Sequence, residues 1–94
     1  MAGYFTIEVS PASGPGDASY TVSCSSHDGF KGTIALSCST ATTTCALADA
    51  TLMICEDETK STTCSVGPVT EPDQLDIAGT HSGETKYASA DLIP

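Results

Sequence analysis

The sequence predicts an all-β domain folded as a two-sheet sandwich. Apolar residues alternate with polar ones at a period close to two, and no 3.6-residue pattern is sustained. Seven such runs recur at a spacing of roughly 8–12 residues, each bounded by turn-forming residues. Aromatic residues are scarce while Thr, Ser and Ala abound, which suits thin β layers better than a large enzyme core.

The first run is Tyr4 to Ser10, where Phe5, Ile7 and Val9 alternate with Thr6 and Glu8. Pro11 ends it, and Ser13 to Asp17 reads as a turn cluster. The second is Ala18 to Ser25, with Ala18, Tyr20, Val22 and Cys24 on one face. His27-Asp28-Gly29 then turns the chain. The third is Gly32 to Ser39, with Ile34, Leu36 and Cys38 aligned. A Thr-rich connection, Thr40 to Thr44, leads through Cys45-Ala46-Leu47 to the fourth run, Thr51 to Cys55. Glu56-Asp57-Glu58 is a polar loop before the fifth, Ser61 to Val66, with Cys64 and Val66 inward. The sixth is Gln74 to Thr80, with Leu75 and Ile77 inward. His81 to Glu84 forms a hairpin-like turn into the seventh, Thr85 to Ile93. Either face of this last run satisfies the pattern.

Ninety-four residues make one domain with a thin core. A chain of this size buries only about 60–65% of its unfolded surface, so extra bracing is expected. Twelve acidic residues face three lysines and no arginine, for a formal charge of −9. That balance disfavours nucleic acid and anionic membranes as partners. No run approaches the roughly 20 apolar residues of a membrane-spanning helix, so no membrane insertion is expected. No secretory leader is readable at Met1-Ala2-Gly3, and the expectation is a domain excised from a longer exported chain.

Five cysteines in so short a chain read as disulfide bracing in an oxidising compartment. The spacing between Cys38 and Cys45, and between Cys55 and Cys64, matches no zinc knuckle, so no metal or other cofactor is expected. Cys55 and Cys64 flank a loop between consecutive runs and could pair across a hairpin. Cys24 and Cys64 are both inward by alternation, which offers a second pairing and leaves Cys55 as the odd thiol. A buried odd thiol acts as a small hydrophobe, and an exposed one suggests a covalent partner.

The phrases Phe5-Thr6-Ile7-Glu8-Val9-Ser10-Pro11, Gly16-Asp17-Ala18-Ser19-Tyr20-Thr21-Val22 and Gly29-Phe30-Lys31-Gly32-Thr33-Ile34-Ala35-Leu36-Ser37 resemble bacterial immunoglobulin-like repeat modules of surface and secreted proteins. The Gly-Phe-Lys-Gly-Thr-Ile step is the most specific part. Cys24 stands where such modules usually carry an aliphatic residue, and Cys55 to Gly79 follows the pattern loosely. The resemblance implies an immunoglobulin-like β-sandwich of about seven antiparallel strands over residues 1–94. It implies an extracellular or cell-surface spacer, stalk or adhesion element without catalysis, partnered by neighbouring domains of its own chain. It also favours pairing Cys38 with Cys45. The expected set is then Cys38–Cys45, Cys55–Cys64 and a buried free Cys24.

In an immunoglobulin-like topology three loops gather at one pole. Here they carry His27 and Asp28, then Glu56, Asp57 and Glu58, then His81 and Glu84. This is the alternative function, a pole for a protein, a glycan or a cation. The three tyrosines sit within strands, which weakens the glycan version. A fibre or virion subunit, joined through edge strands or the odd cysteine, is a further alternative. Catalysis has little support: no Gly-x-Ser-x-Gly elbow orients any of the serines. Lys31 beside Phe30 reads as an exposed turn residue rather than an amide crosslink.

Overall fold

The computed structural model describes residues 3–94. They form nine strands and no helix: β1 (Tyr4–Ser10), β2 (Ser13–Pro15), β3 (Ala18–His27), β4 (Gly32–Ser39), β5 (Cys45–Leu47), β6 (Thr51–Ile54), β7 (Thr59–Val66), β8 (Asp73–His81) and β9 (Glu84–Ile93). A four-stranded sheet runs β1-β3-β7-β5, and a five-stranded sheet runs β2-β9-β8-β4-β6. The two pack as a β-sandwich. All seven predicted runs are strands, with inward faces as the alternation requires: Phe5, Tyr20, Val22, Ile34, Ile54, Leu75 and Ile77 are among the fully buried residues.

Two features correct the expected architecture. Nine strands replace seven, because Ser13–Pro15 and Cys45–Leu47 also pair. The sheets are not wholly antiparallel, because β2 pairs with β9 in parallel. Tyr20 holds β2 in place by donating its hydroxyl proton to the Pro15 carbonyl at 2.8 Å. Gly14 makes room for that hydroxyl; a Cβ there would lie 2.7 Å from it. The open question of the last strand is also resolved: Ala90 and Leu92 are buried, whereas Tyr87, Ser89, Asp91 and Ile93 face out.

Successive strands lie in different sheets at every connection but one. Only β8 and β9 form a hairpin, with His81 opposite Glu84 and a two-residue turn of Ser82 and Gly83 at φ 48 and 81°. Positive φ at both positions is the geometry that matches strand twist. The same pairing of conformations, φ 54 and 82°, lets Asp28-Gly29 carry the chain from β3 to β4.

This crossing rule decides the cysteines. Cys38 on β4 and Cys45 on β5 belong to opposite sheets, and their disulfide staples the sheets together. The expected Cys55–Cys64 bond is absent. β6 and β7 also lie in opposite sheets, so no hairpin exists for it to span. Cys55 is exposed just beyond β6, while Cys64 is fully buried in β7. The alternative Cys24–Cys64 bond is absent too. Cys24 lies opposite Lys60 and Cys64 opposite Tyr20. That offset of four residues is about 13 Å along the strands, beyond disulfide reach. Cys24 is free and buried as expected, but Cys55 and Cys64 are free beside it. Burial pushes the Cys24 thiol up to about 11 and raises that of Cys64, so both behave as small hydrophobes.

Asp73, at the start of β8, clasps the loop closed by the disulfide. Its carboxylate accepts the Thr42 hydroxyl at 2.6 Å, the Thr42 amide at 2.8 Å and the Ala41 amide at 3.1 Å. The Gln74 amide adds a fourth bond at 2.7 Å. These bonds, the Thr42 hydroxyl foremost, hold the carboxyl well below the usual carboxylate range.

Two outcomes follow for stability. Replacing Cys38 and Cys45 by Ser should cost about 2–3 kcal/mol of unfolding free energy in a urea titration, the expectation for so short a closed loop. The Asp73 carboxyl is depressed in the folded state. Its contribution is therefore complete above the unfolded carboxyl value of about 4 and is lost as pH falls towards the folded value. Asp73→Asn should lower the urea midpoint at neutral pH and shrink its fall on acidification; an unchanged acid limb would show that the clasp carries no such linkage.

Candidate functional site

The pole where β1 begins gathers three turns, as the topology argument anticipated. Ser26 joins two of them. Its hydroxyl donates to the Phe30 carbonyl at 2.6 Å and accepts the Asp57 amide at 3.2 Å. Its own amide donates to the Glu58 carbonyl at 2.9 Å. The Glu58 carboxylate turns back to accept the Cys55 amide at 3.0 Å, closing the turn that holds Glu56 and Asp57. The acidic loop is thus tied to the end of β3 by its backbone, and one of its three carboxylates is engaged within the loop.

The two histidines take separate stations. The His27 ring stacks on Tyr4, with centroids 4.8 Å apart and planes 15° from parallel. Its Nε2 shares a hydrogen bond of 2.9 Å with the Thr6 hydroxyl. His81 lies in the other sheet. Its Nδ1–H donates to the Thr33 carbonyl at 2.9 Å, which fixes the tautomer of the neutral ring. The His81 ring meets Phe30 edge to face, with centroids 4.9 Å apart and planes at 82°. Gly32 lies directly beneath the imidazole, and a Cβ at that position would strike its Cε1 atom. Both imidazoles therefore serve as packing and hydrogen-bonding groups.

A shallow cleft of about 420 Å³ opens between the β3–β4 and β8–β9 turns. Among its lining residues are Phe30, Lys31, His81, Ser82 and Glu84. Of the residues singled out in the sequence, the cleft joins His81 with Glu84 only. His27, Asp28, Glu56, Asp57 and Glu58 do not line it. Among the described residues, no three His, Cys, Asp or Glu side chains converge to hold a metal ion. The cation version of the pole thus has no ligand set in this geometry. Lys31, read as a bland turn residue, supplies the cleft's ammonium group.

Lys86 is a further participant that alternation alone could not assign. It points inward from β9, and its ammonium lies 5.3 Å from the Tyr4 ring centroid and 5.5 Å from that of Phe5. This cation–π contact closes the mouth of the core between β1 and β9.

The His81 seat predicts a specific coupling. Gly32→Ala should destabilise the protein by about 1–3 kcal/mol through overpacking. In a His81→Ala background the same change should cost far less. Equal costs in both backgrounds, read by chemical denaturation as a double-mutant cycle, would refute the seat. In the wider comparison, no family model matches the chain, and no curated protein matches it significantly.

Proposed function

We propose that the chain is a non-catalytic spacer or adhesion module of immunoglobulin-like type, working outside the cell in a surface or secreted protein. One observation carries the reading: the ends of the fold lie at opposite poles of an elongated body. Tyr4, at the head of β1, pairs with His27, which ends β3 at the β3–β4 turn. Ile93, at the end of β9, pairs with Pro15 at the other pole. The body measures 45 × 21 × 18 Å. A module of this shape passes tension along its long axis and adds its length to a string of neighbours. The inter-sheet disulfide supports the reading, because such bonds persist in non-reducing surroundings. So does the likeness of its opening strands to immunoglobulin-like repeats. No helix among the described residues is long and apolar enough to cross a membrane.

Tension applied at the two ends loads β1 against β3, and β2 against β9, along the strand direction. All the hydrogen bonds of each pair then bear the load together. Single-molecule extension of the chain held by its ends tests the role. A spacer should unfold in one discrete step, and Gly14→Pro should lower the force by disturbing the β2–β9 pairing. Extension without a resolved step would overturn the spacer reading. If the same sample ran as a reductant-sensitive dimer, the exposed thiol of Cys55 would favour assembly into a fibre instead.

A further inference from the structure

Strand β9 leaves a long stretch of backbone without a partner. It pairs with β8 from Glu84 to Leu92 in unbroken register, with no bulge. On its other side β2 covers only Asp91 to Ile93. The Asp91 amide donates to the Ala12 carbonyl at 2.9 Å, towards that outer side. In an antiparallel ladder the N–H and C=O of one residue point the same way, and the direction alternates from residue to residue. Thr85, Tyr87 and Ser89 therefore aim their amides and carbonyls outward, whereas Lys86, Ala88 and Ala90 bond to β8. Among the described residues no strand pairs with that outer side: β1 belongs to the other sheet and pairs with β3 along its whole length.

The other edges are guarded, and this one is open. β2, β5 and β6 have three, three and four residues, too short to template a further strand. β1 carries the exposed carboxylate of Glu8 near its middle. From Thr85 to Ala90, β9 has no proline and no carboxylate. Its one charge there, Lys86, sits on the inner face with its ammonium over the rings of Tyr4 and Phe5. Tyr87, 74% exposed, stands at the midpoint of the open stretch.

We propose that two copies of the chain join edge to edge, β9 against β9 and antiparallel, about a two-fold axis at Tyr87. The length and order of the open stretch select a second copy as the occupant. Glu84 to Ala90 is centred on Tyr87, so an axis there uses all of it and stops where Ala12 takes up the Asp91 amide. Thr85 then lies opposite the second copy's Ser89, Tyr87 opposite its own counterpart, and Ser89 opposite the second copy's Thr85. These are the outward-facing residues of both chains, so every free amide meets a free carbonyl. On the outer face the two tyrosines form a cross-strand aromatic pair flanked by Thr–Ser pairs. On the inner face Lys86 lies opposite the second copy's Ala88, so no like charges are opposed. An axis at Lys86 would set the two lysines against each other. The contact is isologous and closes after two copies. It makes one continuous sheet of the two five-stranded sheets and sets the long axes antiparallel, which leaves both poles of each module free. The inference does not rest on the spacer reading, because association in solution is independent of how the chain bears load.

The test is sedimentation equilibrium of the intact chain over a concentration series, as wild type and as Cys55→Ser, which removes the exposed thiol. Both should show a reversible monomer–dimer equilibrium. Two chains of formal charge −9 repel, so the dimer should tighten severalfold as added salt screens them. Tyr87→Glu sets like charges at the axis and should return the protein to monomer. Tyr87→Pro removes the outward amide without touching the β8 ladder and should do the same. Thr63→Glu, on the outer face of the other sheet, should leave the dimer intact. Oxidative cross-linking in the Cys55→Ser background reads the register. Tyr87→Cys should cross-link, because residues opposed in this way have Cα atoms about 5.5 Å apart. Thr85→Cys should not, because its counterpart lies four residues away, about 13 Å along the strand. Circular dichroism and the thermal midpoint verify that each variant is folded. A monomer at every concentration overturns the proposal, as does a dimer that Tyr87→Glu leaves or Thr63→Glu abolishes. Equal cross-linking of Tyr87→Cys and Thr85→Cys overturns it too. A dimer lost in Cys55→Ser overturns it and assigns association to that thiol.

Discussion

The whole molecule depends on one thin layer between its sheets, filled by alternate residues of nearly every strand. Phe5, Tyr20, Ile34, Leu75, Ile77 and Leu92 meet there with almost no solvent exposure. The layer is too small to tolerate a misplaced strand, since a shift of one residue exchanges the inner and outer faces. Bracing is therefore concentrated where the layer opens. At one mouth, Lys86 lies over Tyr4 and Phe5. Towards the other, the Cys38–Cys45 bond joins the sheets and Asp73 ties down the loop between those cysteines.

Strand positions were readable because period two is a strong signal wherever bulky apolar residues alternate with hydroxyls. It succeeded for Phe5-Thr6-Ile7 and for Ile34-Ala35-Leu36. It was indecisive in β9, where the inner face is Lys86, Ala88, Ala90 and Leu92 and only the last is a large apolar residue. β2 and β5 were unreadable for a different reason. Each has three residues, and what makes them strands is a distant partner: β9 for one, β7 for the other.

The candidate site was read at the level of loops and missed at the level of side chains. The three turns do come together, because they end strands whose order is set by the core. Which way each imidazole faces depends on the sheet that carries it. His27 ends β3 and leans on Tyr4 and Thr6, whereas His81 ends β8 and leans on Phe30 and Gly32. Of the expected pairs, Cys38–Cys45 forms and Cys55–Cys64 does not, because the Cys55–Cys64 pairing took neighbours in sequence to be neighbours in one sheet.

The habit of changing sheets at nearly every connection also governs how the chain can come to be folded. Only the β8–β9 hairpin is assembled from residues close in sequence. β9 is also the strand that lies between β8 and β2, linking the last hairpin to a segment from the beginning of the chain. During synthesis from the N-terminal end, the early strands emerge before the partners that complete their sheets. Closure must wait for the last ten or so residues, and the loops to be closed are long. β9 is thus the strand whose arrival joins β2 to β8 and completes the five-stranded sheet.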